Sequence, residues 1–79
     1  MIQIADVQIH LTRVDPNQNM ARYYEMSVQP NLFGEATVFR SWGRIGTRGQ
    51  SMMVTYPGAT EAEAAVTKLE RQKQQRGYR

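Results

Sequence analysis

The stretch Phe39-Arg40-Ser41-Trp42-Gly43-Arg44-Ile45-Gly46-Thr47-Arg48-Gly49-Gln50 holds the residues best equipped to act on another molecule. Arg40, Arg44 and Arg48 recur every fourth residue, Gly43, Gly46 and Gly49 every third, and Trp42 is the chain's sole tryptophan. An arginine presents a planar fork of donors that matches a phosphate. A tryptophan is a broad ring that stacks on a base or sugar, and glycine lets a backbone approach a ligand closely. Together these make an end-on or single-strand nucleic-acid contact. A plainer reading competes with it: glycines also shape a wide hairpin, and a tryptophan is commonly a core anchor.

Other chemistries fit less well. The glycine spacing does not match G-x-G-x-x-G, and no Lys-Ser or Lys-Thr pair follows to make an NTPase phosphate loop, so no nucleotide cofactor is expected. His10 is the only histidine, placed among Asp6, Gln8 and Thr12 where a strand faces solvent. Glu61, Glu63 and Glu70 fall on a helix with no carboxylate pair arranged for acid/base work. With no cysteine, a disulfide framework, a thiolate metal site and a cysteine nucleophile are all excluded. The expectation is therefore no catalytic residue, no metal, no cofactor and no small-molecule substrate.

The elements that must position this stretch can be read from period and punctuation. From Ala5 to Val14, Ala5, Val7, Ile9 and Leu11 alternate with Asp6, Gln8, His10 and Thr12, which predicts a first half-buried strand. Asp15 to Asn19 concentrates turn formers around Pro16. A second strand spans Arg22 to Val28, with Tyr24, Met26 and Val28 on one side and Tyr23, Glu25 and Ser27 on the other; which tyrosine is buried stays open. Pro30 to Gly34 connects to a third strand, Ala36 to Trp42, whose buried side is ambiguous between Val38 and Phe39. Ser51 to Tyr56 is a fourth strand, with Met52 and Met53 expected in the sheet packing, before Pro57-Gly58 breaks it.

The period then changes. Thr60 and Glu63 have the spacing of a capping box, and Ala62, Ala65, Val66 and Leu69, with the stem of Lys73, form one apolar helical stripe. Arg71, Lys73 and Arg76 suit the negative end of the helix dipole, or extend a basic surface; Gly77 is a left-handed stop after which Tyr78 folds back. Four meandering strands and one helix predict an α+β layer pair: a twisted antiparallel sheet of about four strands with a C-terminal helix across one face.

Composition sets the bounds. At 79 residues, with 41% hydrophobic and 22% charged residues, the chain is one small globular module and excludes a two-domain enzyme. The formal charge is +3, and eight of the ten basic residues are arginine, which favours an anionic partner, although +3 is also an ordinary solubility charge. No run approaches the roughly 18 apolar residues of a membrane span, and the first residues lack the basic-then-apolar order of a secretory signal. A cytoplasmic protein without a membrane partner is expected.

At this point the sequence resembles a known family, the WGR domain, named for its Trp-Gly-Arg triplet and found in DNA-dependent poly(ADP-ribose) polymerases and in small bacterial proteins. The resemblance is carried by Arg22-Tyr23-Tyr24, by Phe39 to Gly46, by Gly49-Gln50, and by Lys73 with Arg76-Gly77-Tyr78. It covers residues 21–78 of a single domain spanning 1–79, in which residues 1–20 supply an N-terminal strand and turn. It implies a twisted antiparallel sheet with a helix, and a tryptophan that packs on the terminal sugar or base of a DNA break, a position Trp42 would inherit. Arg44 would inherit the arginine that helps to hold neighbouring domains. Ala21 and Arg22 stand where the family often has Asn-Lys, and Val66 where it often has an aromatic residue. With no polymerase domain in this sequence, the allosteric role has no counterpart here.

The expected function is thus a non-catalytic nucleic-acid-binding module, engaging DNA ends or nicks through Trp42, Arg44, Arg40, Arg48, Gly43, Gly46 and Arg22. The alternative is a protein-interaction or assembly module using the same surface or a sheet edge. Expected partners are nucleic acid, DNA before RNA, and beyond it a DNA-processing enzyme or a second copy of the chain.

Overall fold

The computed structural model describes residues 8–79. Four strands, β1 (Gln8–Asp15), β2 (Met20–Pro30), β3 (Ala36–Arg44) and β4 (Gln50–Tyr56), form one antiparallel sheet in the order β1-β2-β3-β4, followed by a helix α1 (Ala59–Gln75). This is the α+β layer pair the periodicities predict. The Ala5 to Val7 part of the expected first strand lies outside the described residues. β3 runs on through Gly43 and Arg44, so the triplet belongs to a strand and only residues 45–49 form the loop.

Local chemistry fixes the turns. After β1 the Asp15 carboxylate accepts from the Asn17 N–H at 3.1 Å, Pro16 to Gln18 make one 3-10 turn, and Asn19 takes the left-handed conformation at φ 51°. Between β2 and β3 the Asn31 side-chain oxygen accepts from the N–H groups of Phe33 and Glu35, at 2.9 and 3.0 Å. That closes the hairpin while leaving Leu32 and Phe33 exposed at its tip.

One face of the sheet is covered. Leu11, Tyr24, Met26, Val28, Ala36 and Val38 from the strands join Ala62, Val66 and Tyr78 in a single core. The second strand's alternation is as read: Tyr24 is the buried tyrosine and Tyr23 faces the other side, and Val38 rather than Phe39 faces the core. The helical stripe also holds, with Ala62 and Val66 buried and Ala65, Leu69 and Lys73 half-buried. At its end Gly77, at φ +97°, donates to the Gln74 carbonyl and Tyr78 to the Lys73 carbonyl, both at 3.0 Å, a paired stop that turns Tyr78 into the core.

Two expectations are corrected. Thr60 and Glu63 do not form a capping box: the helix starts at Ala59, Gly58 is its N-cap and no side chain caps it. Pro57-Gly58 already completes the reversal from β4, so Thr60 falls inside the first turn, too late to cap. Met52 and Met53 are exposed rather than packed, at 45% and 67% of their surface. β4 is an edge strand, and Met53 points to the face that α1 does not cover.

Candidate nucleic-acid interface

The sheet's register assembles the site. Cross-strand partners share a face, so the rows on the helix side are Ile9-Met26-Arg40-Met52, then Leu11-Tyr24-Trp42-Gln50, then Arg13-Arg22-Arg44. The last row places three guanidinium-bearing residues side by side at the end of the sheet. Like charges in facing positions are destabilising, so this end of the molecule tolerates a repulsion the core does not require.

Trp42 stands where the core meets that charged end. Its ring is half-buried, packs on the core and lies 6.1 Å from the Tyr24 ring at a 31° tilt, leaving its outer part in solvent. The Arg40 guanidinium sits 5.8 Å from the ring centroid, within cation–π range. From α1, the Lys73 ammonium reaches over Tyr24 at 4.6 Å and Tyr78 at 5.6 Å. Two adjoining clefts result. The first, about 270 Å3, is lined by Tyr24, Arg40, Trp42 and Lys73. The second, about 380 Å3, is lined by Arg22, Trp42, Gly43, Arg44, Lys73 and Tyr78. Trp42 and Lys73 are walls of both, and among the described residues no carboxylate lines either.

The electrostatics follow from that lining. Among the described residues no arginine or lysine makes a salt bridge; on the opposite face the His10 Nδ1 lies 3.6 Å from the Glu25 carboxylate. Burial pushes the Lys73 ammonium below its usual 10.5, and the nearby charges of Arg76, Arg40 and Arg22 push it further. The Arg40 Nε is buried without a hydrogen-bond partner, while its terminal nitrogens reach the Tyr24 hydroxyl at 3.4 Å and the Met52 sulfur. Cations crowded against aromatic faces, with no carboxylate partner among the described residues, have the chemistry to receive an anion carrying a flat or apolar group.

The loop after β3 is held by close packing of its backbone. Gly49 has φ +68°, and a side chain there would fall on the Trp42 carbonyl and within 2.5 Å of the Tyr23 hydroxyl. Tyr23 donates that hydroxyl to the Arg48 carbonyl at 2.9 Å, pinning the loop from the far face of the sheet. Gly49 therefore lets the loop lie against the end of β3.

The expected site residues are partly brought together. Arg22, Arg40, Trp42, Gly43 and Arg44 line the paired clefts. Arg44 also donates to the backbone and side-chain oxygens of Asn19, at 3.1 and 3.3 Å, tying β3 to the first turn. Gly46 and Arg48 are exposed in the loop and line neither cleft; Gly46 borders a depression on the opposite face beside His10 and Tyr23. Lys73, Tyr24, Tyr78 and Arg13 were not among the expected contacts. Lys73 carried a signal, its place on the buried helical stripe, but the helix dipole gave it another explanation.

Fold and site thus define a small α+β module with a cationic, aromatic-walled surface. The family model of the WGR domain matches residues 7–79, and the chain belongs to that family. WGR domains are non-catalytic modules known for nucleic-acid binding in poly(ADP-ribose) polymerase-like proteins. The chain is 49% identical over 72 residues to the uncharacterized protein y4dW of Sinorhizobium fredii (strain NBRC 101917 / NGR234). That match covers 91% of this chain and 35% of the relative, so the chain spans about a third of its length. No solved structure matches the chain.

Proposed function

We propose that this domain binds DNA at ends or nicks, with the exposed part of Trp42 stacking on a terminal sugar or base and Arg22, Arg40, Arg44 and Lys73 meeting phosphates. The observation that carries the reading is the common wall formed by a half-buried tryptophan between two clefts whose cations have no acid to pair with. An end or nick suits this surface better than continuous duplex. A ring can stack only where a base pair or sugar is left uncovered, whereas groove binding would use the cations alone. Arg48 and Gly46 remain beside the site, where the loop would meet the flanking backbone.

In this reading the domain performs no chemistry. It localises a DNA-processing activity carried on a longer or separate chain to a break, in the cytoplasm. His10, exposed over 62% of its side chain and facing Glu25, is a surface pair and takes no part.

The test is a salt titration of binding to blunt, nicked and closed circular duplex with the wild-type chain and Trp42→Ala. Four phosphate contacts give a slope of about −3.6 in log affinity against log salt, with micromolar or weaker affinity at physiological salt where stacking adds nothing. Trp42→Ala is expected to lose the preference for ends, about 1 to 3 kcal/mol of stacking, while the salt-dependent part persists. Equal affinity for closed circular and nicked duplex would overturn the end-directed reading. No binding to any of them at low salt would overturn the nucleic-acid reading as a whole.

A further inference from the structure

β1 and β4 are the two edges of the sheet, and they are protected very differently. The Ile45 N–H bond to the Ala21 carbonyl, 2.9 Å, fixes the alternation of the ladder. Odd-numbered residues of β3 bond to β2 and even-numbered ones to β4. Carried outward, the same alternation points the backbone groups of Gln8, His10, Thr12 and Val14 away from the sheet on β1, and those of Ser51, Met53 and Thr55 away from it on β4. On β1 the middle of that row is taken: Thr12 donates to the Arg79 carbonyl at 2.8 Å and accepts from the Arg79 N–H at 2.7 Å. Arg13 and Asp15 add charge along the same strand. On β4 no backbone bond reaches the outward groups among the described residues.

Edges left open in this way are usually blunted by charge, proline or a bulge. β4 has none of these. From Gly49 to Thr60 the sequence contains no charged residue, and its first proline, Pro57, comes after the strand has ended. On the uncovered face Met53, 67% exposed, lies beside Phe39 of the neighbouring strand.

We propose that this edge pairs with the β4 edge of a second copy, antiparallel about a two-fold axis at Met53, joining two four-stranded sheets into one. The edge's own sequence selects a second copy over an unrelated strand. In that register Met53 faces Met53, extending the Phe39-Met53 patch across the axis, and Ser51 faces Thr55, hydroxyl to hydroxyl. Two chains of charge +3 repel, and β4 adds no charged residue of its own to the seam.

The helices leave room for the pairing. α1 packs on β2, β3 and β4, so it is centred over β3. The two copies of β3 would be three strand spacings apart, about 14 Å, wider than the about 8 to 10 Å of helices in contact. The helix surface toward this edge carries Glu61 and Lys68, one charge of each sign, with Ala65 and Gln72 between and beyond them. An axis normal to the sheet puts both Trp42 clefts on one face of the dimer.

Because the pairing needs no ligand, it is tested without DNA. Sedimentation of the full chain from micromolar to millimolar concentration is expected to move from 9.1 kDa toward twice that mass, and Met53→Lys, with an unchanged circular dichroism melt, to remain at 9.1 kDa. The chain has no cysteine, so a single introduced one reports the register. Met53→Cys brings two Cα atoms to about 5.5 Å across the axis, within reach of a disulfide. Ser51→Cys leaves its two copies about 14 Å apart. Rapid covalent dimerisation of Met53→Cys and not of Ser51→Cys is expected. A wild-type chain monomeric throughout, a dimer indifferent to Met53→Lys, or equal cross-linking of the two cysteine variants would overturn the proposal.

Discussion

The two ends of β3 alternate in the same way and do opposite things. Toward the sheet's core-facing side, the first half presents Ala36 and Val38, exposed over 0% and 1% of their surface, and the second half presents Arg40 and Trp42, both half-exposed. Across the sheet the contrast widens into rows: Val28-Val38-Val54 at one end, Arg13-Arg22-Arg44 at the other. The helix makes the difference, since its Ala62 and Val66 seal the valine end while Lys73, two turns beyond Val66, brings one more cation to the tryptophan end. Packing is thus gathered in one half of a strand and the cationic clefts in the other, joined through the Tyr24-Trp42 contact.

Substitutions can separate the halves. Val38→Asp is expected to have the largest effect, because an unpaired charge buried in the sealed half costs about 3 to 5 kcal/mol, comparable with the whole stability of a small domain. A chain that still melts cooperatively near the wild-type temperature would remove the contrast. Trp42→Ala comes next. It should weaken binding to DNA ends by about 5-fold to 150-fold, from the loss of about 1 to 3 kcal/mol of stacking, and leave a folded chain by circular dichroism.

Lys73→Met sharpens the comparison further, because it should move the two properties in opposite directions. Removing one phosphate contact lowers the salt slope by about 0.9. Removing a half-buried charge that its neighbours repel should leave thermal stability unchanged or raised within about 0.5 kcal/mol. A marked loss of stability would mean that the lysine stem, not its charge, is what this position contributes.

The pH dependence carries the same sign. Lys73 is pushed below its unfolded value of 10.5, so its charged form is disfavoured in the folded chain. As pH rises through the lowered folded value toward 10.5, the Lys73 contribution to stability increases, while DNA binding declines in the same window as the ammonium is lost. Bound phosphate restores the charge, so binding there takes up a proton. Lys73→Arg should abolish that alkaline decline, measured as affinity against pH at fixed salt. The smallest effect is expected from Arg48→Ala. Arg48 lines neither cleft, so its loss should change the salt slope by less than Arg40→Ala does.

Much of this was legible locally. Alternation located the first two strands, β-branched and aromatic residues the third and flanking Gly and Pro the fourth, and Asp15-Pro16 and Gly77 marked a turn and a stop. The errors fell where local rules compete. Thr60 and Glu63 have capping spacing, yet the turn at Gly58 starts the helix first; Met52 and Met53 are apolar, yet an edge strand gives them nothing to pack against.

By itself the sequence determined which segments extend, which coils, where the chain must turn, and that arginine and one tryptophan cluster beside a glycine-rich loop. Only the tertiary structure decided that Arg13 joins Arg22 and Arg44, that Lys73 lies over Tyr24 and Tyr78, and that Arg79 bonds to Thr12 on the β1 edge while no backbone bond among the described residues reaches the outward side of β4. Periodicity reports each segment's own faces, whereas these juxtapositions depend on strand register and on how the helix end docks. Those are set by packing between residues far apart in the chain, and a local pattern carries no record of them.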